Sequence, residues 1–436
     1  MLVSLSSCVY EYNGMEQEDP GIPYDQTILV LNVRSLDSGR SGAAPIELVK
    51  SLRIIIVNKG WESQEEDNES VEPTIELNKY YEFPANIPAS GLEHSITWPT
   101  VNGPKSIYVI ANEESIPYEE SLIKGDVAFT SFSKFLNSFG ENSDPANLVN
   151  TLQDYYYQPQ FTETDDGSIY LPYTYYIDNV MPTPGQVTPV NAWLAPVATK
   201  FIFNFTNDRE YSVNINGISM SFANKANYLF ARVADTQQNL EFNGNLLYWP
   251  EWLAEISAES WNHTGSSSNE IFNNDNGWIS QYYVPTPDDS HEYVFIAEGS
   301  GDTFNIPGRT VTDNGEEMPF SHTTDTYYIP ESINFKNPES EVTDNGGSGS
   351  EVAEQTFYLT LLIEDTSLFT APTFKNVASP NLKALVRNTY VIVNVKFTDG
   401  DIDIYAEIAP WNEKTSNGWV SEGNAPSNNP FSKRKQ

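Results

Sequence analysis

The sequence predicts a mainly β fold of two β-sandwich domains with short helical inserts. Composition is the first reason. Twenty-five Tyr, a 13% aromatic fraction and many Thr, Val, Ile, Asn and Gly favour strands and turns. Periodicity is the second: apolar runs of strand length, several of them alternating, recur between clusters of Gly, Pro, Asn and Asp. Length is the third. A chain of 436 residues implies two or three domains, and its strand series breaks near residues 182–196, where PTPGQVTP and Leu194-Ala-Pro read as a Pro-rich linker. The expected division is a tether over residues 1–24, sandwiches over 25–190 and 191–412, and a polar tail over 413–436.

The elements follow in order. The first strand is Thr27-Ile-Leu-Val-Leu-Asn-Val-Arg34, with Ile28, Leu29, Val30 and Leu31 as its buried aliphatic set. Residues 35–44 are turn-rich and open to proteases. Leu52–Val57 and Ser106–Asn112 are the next strands, and residues 63–69 between them are acidic and solvated. Phe132, Phe135, Leu136 and Phe139, then Leu148, Leu152 and Tyr155, recur at helical spacing and predict two short helices. Ile169–Tyr176 returns to strand composition. The second series opens at Ala198–Phe205. Val213–Phe222 alternates around Asn216-Gly217, read as a hairpin turn. Leu246–Ala258 reads as a short helix, and 293–297, 326–329 and 356–363 as strands. Residues 341–350 form a Gly/Ser loop. The closing pair, 390–397 and 401–408, turns at Thr398-Asp-Gly400. Beyond Glu413 the chain is polar, lacks alternation and reads as disordered. No internal repeat stands out.

Sixty acidic residues against 23 basic ones give a net charge of −37. That sign disfavours nucleic acid and anionic membrane surfaces as partners. It suits a soluble protein outside the cell. No apolar run long enough to cross a membrane follows Cys8. Cys8 is the only cysteine, so it makes no internal disulfide. It stands in Leu5-Ser-Ser-Cys8, the pattern of a bacterial lipobox, ahead of a polar, acidic, turn-rich stretch suited to a tether. Only seven residues without Lys or Arg precede it, short for a signal peptide. The usual catalytic motifs are missing: four scattered His, no HExxH, no GxSxG, no P-loop. A two-carboxylate hydrolase is the enzymatic alternative. Asn273-Asn-Asp-Asn-Gly277 resembles part of a Ca²⁺ loop but lacks its downstream Glu, and an Asx-rich turn is the simpler reading. Trp193, Trp249, Trp252, Trp278 and Trp411 are core or interdomain anchors, or sugar-stacking platforms. The expectation is a non-enzymatic protein with no catalytic, cofactor-binding or metal-ligating set.

In order and spacing these segments resemble the Mfa/FimA-like fimbrillins of Bacteroidia, the type V pilins. The likeness covers most of residues 8–412. It rests on the lipobox Cys8, the apolar strand Thr27–Val33, Val49–Val57, Lys105–Glu113, Leu194-Ala-Pro-Val-Ala-Thr-Lys200, Val386–Val395 and a last strand closing in Ala409-Pro410-Trp411. The resemblance implies two transthyretin-like sandwiches, export as a lipoprotein with a palmitate-bearing Cys8, and attachment to the outer membrane. It also implies assembly with other fimbrial subunits and adhesion to a host or bacterial receptor. In stalk subunits of that family an Arg-specific protease removes the first strand, and a neighbour's C-terminal strand fills the groove. Arg34 and Arg40 are the candidate cleavage residues here. Ile402, Ile404, Ala406 and Ile408 form the candidate donor face. Either 401–411 is the donor, or the chain is an anchor or accessory subunit that keeps its first strand. The binding alternative is a surface glycan-binding lipoprotein.

Overall fold

The computed structural model describes residues 27–35, 46–60, 71–117, 123–124, 127–161, 168–221, 223, 226–233, 239–242, 245–248, 282–283, 292–333, 358–365, 373–378, 384–385, 387–399 and 401–410. The fold is mainly β. The first half contains β1 (Thr27–Ser35), β2 (Ile46–Asn58), β3 (Thr74–Pro88), β4 (Glu93–Thr100), β5 (Lys105–Ala111), α1 (Phe132–Asn137), α2 (Pro145–Asp154), β6 (Tyr173–Val180) and β7 (Val187–Pro196). The second contains β8 (Thr199–Asn207), β9 (Val213–Ser221), β10 (Glu292–Ile296), β11 (Phe304–Ile306), β12 (Phe320–Thr323), β13 (Tyr327–Ile329), β14 (Tyr358–Asp365), β15 (Thr373–Ala378), β16 (Thr389–Phe397) and β17 (Ile402–Pro410).

In the first sandwich, β3-β2-β5-β6 face β7-β1-β4. Strand β7 joins the two layers at a corner, where Ala195 and Pro196 pair with Thr174 and Tyr173. Leu29, Leu31 and Val33 meet Leu52, Ile54, Ile107, Val109 and Tyr175 in the space between. The back of β2 and β5 is also buried: Ile55, Tyr108 and Ile110 pack against Phe132, Phe135, Leu148 and Leu152 of the helices. This is why β5 is apolar without alternation and buried along its whole length. The helices start where their caps lie. Ser131 Oγ accepts from the Lys134 N–H at 3.2 Å, and Asp144 accepts from the Ala146 N–H at 2.9 Å with Pro145 in the first turn.

The second sandwich repeats this plan. Sheet β12/β13-β8-β16-β17 faces β10/β11-β9-β14-β15. Phe201, Phe203, Phe205, Val391 and Val393 interleave with Ile215, Ile218, Leu359 and Leu361. The correspondence holds strand by strand in chain order. Strand β1 runs parallel to β7 and antiparallel to β4, just as β8 runs parallel to β16 and antiparallel to β12 and β13. Strand β2 pairs antiparallel with β3 and β5, as β9 does with β10, β11 and β14. The last strand, β17, has no counterpart in the first sandwich. It pairs antiparallel along the outer edge of β16, from Phe397↔Ile402 to Thr389↔Pro410.

Side chains carry the same signature. Thr27-Ile-Leu-Val-Leu-Asn-Val and Thr199-Lys-Phe-Ile-Phe-Asn-Phe share one pattern. On β1, Ser95 Oγ donates to Asn32 Oδ1 at 2.8 Å, and Asn32 Nδ2 donates to Asn191 Oδ1 at 3.2 Å. On β8, Thr323 Oγ1 donates to Asn204 Oδ1 at 2.9 Å, and Asn204 Nδ2 donates to Asn394 Oδ1 at 3.1 Å. Each sandwich thus carries a three-strand polar row across its first strand.

The halves meet through buried charge. Lys200 Nζ on β8 contacts Glu47 on β2 at 2.6 Å, and the Tyr328 hydroxyl donates to the same carboxylate at 2.8 Å. Arg387, fully buried, pairs with Glu331 and donates to Thr174 Oγ1 at 3.3 Å and to the carbonyl oxygens of Leu229 at 2.8 Å and Tyr228 at 2.6 Å.

Three expectations are corrected. The supposed linker is mostly β7, so the 190/191 boundary falls inside a strand whose Val187–Leu194 pair with β1. Val213–Ser221 is one strand with a bulge at Ile215/Gly217, not a hairpin. A side chain at Gly217 would sit 3.4 Å from the Ile296 carbonyl and from Leu362, so the glycine serves a close strand approach. Leu246–Tyr248 lie in a strand paired with 239–242 rather than a helix. The rest of that segment, the Asn273–Gly277 loop and the tail from 413 lie outside the described residues.

Candidate functional site: strand slots and edges

The two strand-exchange elements sit in different sandwiches and are not brought together within one chain. Strand β1 is central, bonded on both sides. Leu29 and Leu31 are completely buried, and Val33 nearly so. Ile28 and Val30 point to the opposite face and are half-buried. The aliphatic run 28–31 therefore gives the core two side chains rather than four, because successive residues of a strand face opposite sides. Strand β17 has one partner, β16, among the described residues. Ile402, Ile404 and Ala406 pack half-buried on the second core. Ile408 pairs in register with Val391.

Arg34 is the last-but-one residue of β1. Its backbone is paired with both Trp193 and Glu93. Its side chain is half exposed, 3.6 Å from the Glu93 carboxylate and 5.9 Å over the Trp193 ring. A protease needs extended, unpaired backbone, so Arg34 is shielded while β1 is in place. Arg40 and Cys8 lie outside the described residues. Among the described residues no His/Cys/Asp/Glu group is arranged to hold a metal, and no helix is long and apolar enough to cross a membrane.

Strand β7 has a feature that the linker reading concealed. The Ile28 N–H donates to the Gln186 carbonyl at 3.1 Å. In a parallel ladder this turns the even-numbered backbone groups of β7 toward β1 and the odd-numbered ones outward. Pro189, the residue with no N–H to give, falls on the outward side, where an edge tolerates it. Beyond the corner, β6 and β7 splay apart. A cleft of about 370 Å³ opens between them, lined by Tyr175, Ile177, Val180, Met181, Val190 and Trp193 among others.

No family model and no curated protein matches the chain. Solved structures do align over most of its length. The tip fimbrial protein Mfa3 of Porphyromonas gingivalis, truncated at its C-terminus, covers 88% of this chain and 100% of its own, at 13% identity and a TM-score of 0.38. A candidate cell adhesion protein from Bacteroides eggerthii covers 90% and 98%, at 11% and 0.40. A fimbrial assembly protein from Parabacteroides distasonis covers 88% and 98%, at 8% and 0.36. At these identities and scores the chain's own topology, not the overlay, defines its fold.

Proposed function

We propose that the chain is a structural, non-enzymatic subunit of a cell-surface fimbria, exported as a lipoprotein through Cys8 and joined to its neighbours by donor-strand exchange in support of adhesion. One observation carries the reading: β1 is a central strand with Arg34 at its end, and Arg40 follows in the sequence. Its loss would leave two facing strand edges, β7 and β4, over an apolar floor. Such a slot is unstable until another strand covers it. The buried Leu29, Leu31 and Val33, worth about 1.5–3 kcal/mol each, hold β1 in place after a cut until a donor of like content displaces it. Strand β17 supplies that content, with Ile402, Ile404 and Ala406 on one face.

The test is assembly of processed full-length chain, followed by electron microscopy and denaturant-resistant ladders. Ile404→Asp is expected to abolish fibres; strong destabilisation of the isolated monomer instead would make β17 intrinsic and favour an anchor or accessory subunit. Fibres that form normally from both that variant and an Arg34→Ala, Arg40→Ala double variant would reject exchange through these elements. Lipid attachment is read separately: Cys8→Ala is expected to abolish incorporation of a fatty-acid analogue and release the protein from membranes.

A further inference from the structure

The two sandwiches differ in one respect. In the second, the outer edge of the strand parallel to the first, β16, is covered along its length by β17. In the first, the equivalent edge of β7 is paired with β6 only at Ala195 and Pro196. The remaining stretch borders the cleft between β6 and β7. The first sandwich therefore lacks the strand position that β17 fills in the second, and the cleft lies at that position.

We propose that this cleft is a docking site for the β17 strand (Ile402–Pro410) of a second copy of the chain, released from its own β16 and added along the outer edge of β7 while β1 stays in place. The fimbrial reading enters only by supplying a second copy; no cleavage is needed. Three observations carry the assignment. First, the sister sandwich shows which segment this edge position takes: a strand bearing Ile402, Ile404 and Ala406 on its inner face. Second, the cleft is lined by Ile177, Val180, Met181 and Val190, and of these Met181 is 62% exposed. Third, charge matches. Strand β17 begins in exposed acids, Asp401 and Asp403. In a chain of net charge −37, the cleft has a cation at each end. Lys59 lies 2.9 Å from Asn179 Oδ1, and Arg34 lies over Trp193. Both already hold a carboxylate, Asp178 and Glu93 respectively, so they steer a guest rather than bury its charge. The guest would find backbone donors at Val187, Asn191 and Trp193 but none at Pro189, which fixes where along the edge it can pair. A contact between unlike surfaces of identical chains is head-to-tail and builds a ring or a filament according to the rotation it imposes.

The test is disulfide trapping in full-length chain with Cys8→Ser. A donor carrying Asp403→Cys is mixed with an acceptor carrying either Met181→Cys, in the cleft, or Ser95→Cys, on β4 beside β1. All three positions are exposed, and matching melting curves confirm that the variants fold. Both chains also carry Arg40→Ala, Arg34 is kept because its paired backbone shields it, and intact mass confirms that β1 is retained. The expected result is a shift from monomer to dimer mass with the Met181→Cys acceptor and none with Ser95→Cys. Cross-linking only to Ser95→Cys, once chains with both arginines intact are cleaved, overturns the cleft and leaves strand exchange through the β1 slot standing. No cross-link to Met181→Cys in retained-β1 chains overturns the proposal whatever happens at the slot.

Discussion

Arg387 is the side chain on which most of the junction converges. With no exposed surface, it pairs with Glu331, donates to the carbonyls of Tyr228 and Leu229 in the second half, and reaches Thr174 in the first. Removing it takes the guanidinium away from the buried Glu331 carboxylate. Arg387→Ala is expected to cost about 3–5 kcal/mol, whereas replacing the ion pair jointly by Met and Leu costs far less. Urea unfolding of the three chains checks this. Two histidines set the pH response. His94 lies 4.7 Å from the Tyr81 ring, its Nε2 buried without a hydrogen-bond partner among the described residues. His322 stacks on Phe304 at 4.2 Å. Burial pushes both below the usual imidazole value, with nearby Lys79 adding to the effect at His94 and Asp325 opposing it at His322. Folding thus favours the neutral form of both. Their contribution is complete above an unfolded value of about 6.5. It is lost as the pH falls below that toward their folded values, because the unfolded chain then binds protons that the folded chain refuses. Stability measured at pH 7 and pH 5 is expected to drop, and His94→Phe is expected to flatten the drop.

At the scale of elements, the Asn rows and the apolar strand faces separate cleanly. Asn32 and Asn204 are half-exposed, and their row bonds compete with water. Asn32→Ala is expected to cost about 0.5–1.5 kcal/mol, against about 2–5 kcal/mol for Leu31→Ala in the closed core; shifts in the denaturation midpoint decide the ranking. Strands such as Thr27–Ser35 and Thr389–Phe397 were legible from their runs of β-branched and aliphatic residues, which did not show which face meets the core. The helices were legible because Phe132, Phe135, Leu148 and Leu152 obey a different period. Glycine and proline were the ambiguous punctuation. Asn216-Gly217 serves a bulge with the same residues that would make a turn, and Pro189 marks an outward edge as readily as a linker. The duplication escaped notice because it lives in strand order and in a Φ-Asn-Φ motif, while core residues change freely between Leu29/Leu31 and Phe201/Phe203. The candidate strand elements were legible in sequence; the splayed edge of β7, which depends on where β6 turns away, was not.

For the whole molecule, the buried Lys200–Glu47 pair and the Arg387–Thr174 contact couple the two sandwiches. A single calorimetric transition is expected, with van't Hoff and calorimetric enthalpies agreeing. Residues 25–190 expressed alone, cut through β7, are expected to give no cooperative melt. The same architecture has a mechanical consequence. Strand β1 enters the first sandwich beside β7 and runs parallel to it, and β8 does the same beside β16. A pull along the strands from residue 27 toward the junction therefore loads a whole ladder of hydrogen bonds in shear, all at once. The end of β17 is built the other way. Pro410 lies opposite Thr389, so a pull on the C-terminus tears that hairpin open one bond at a time. Tension along such a subunit would leave its body locked and peel its last strand first.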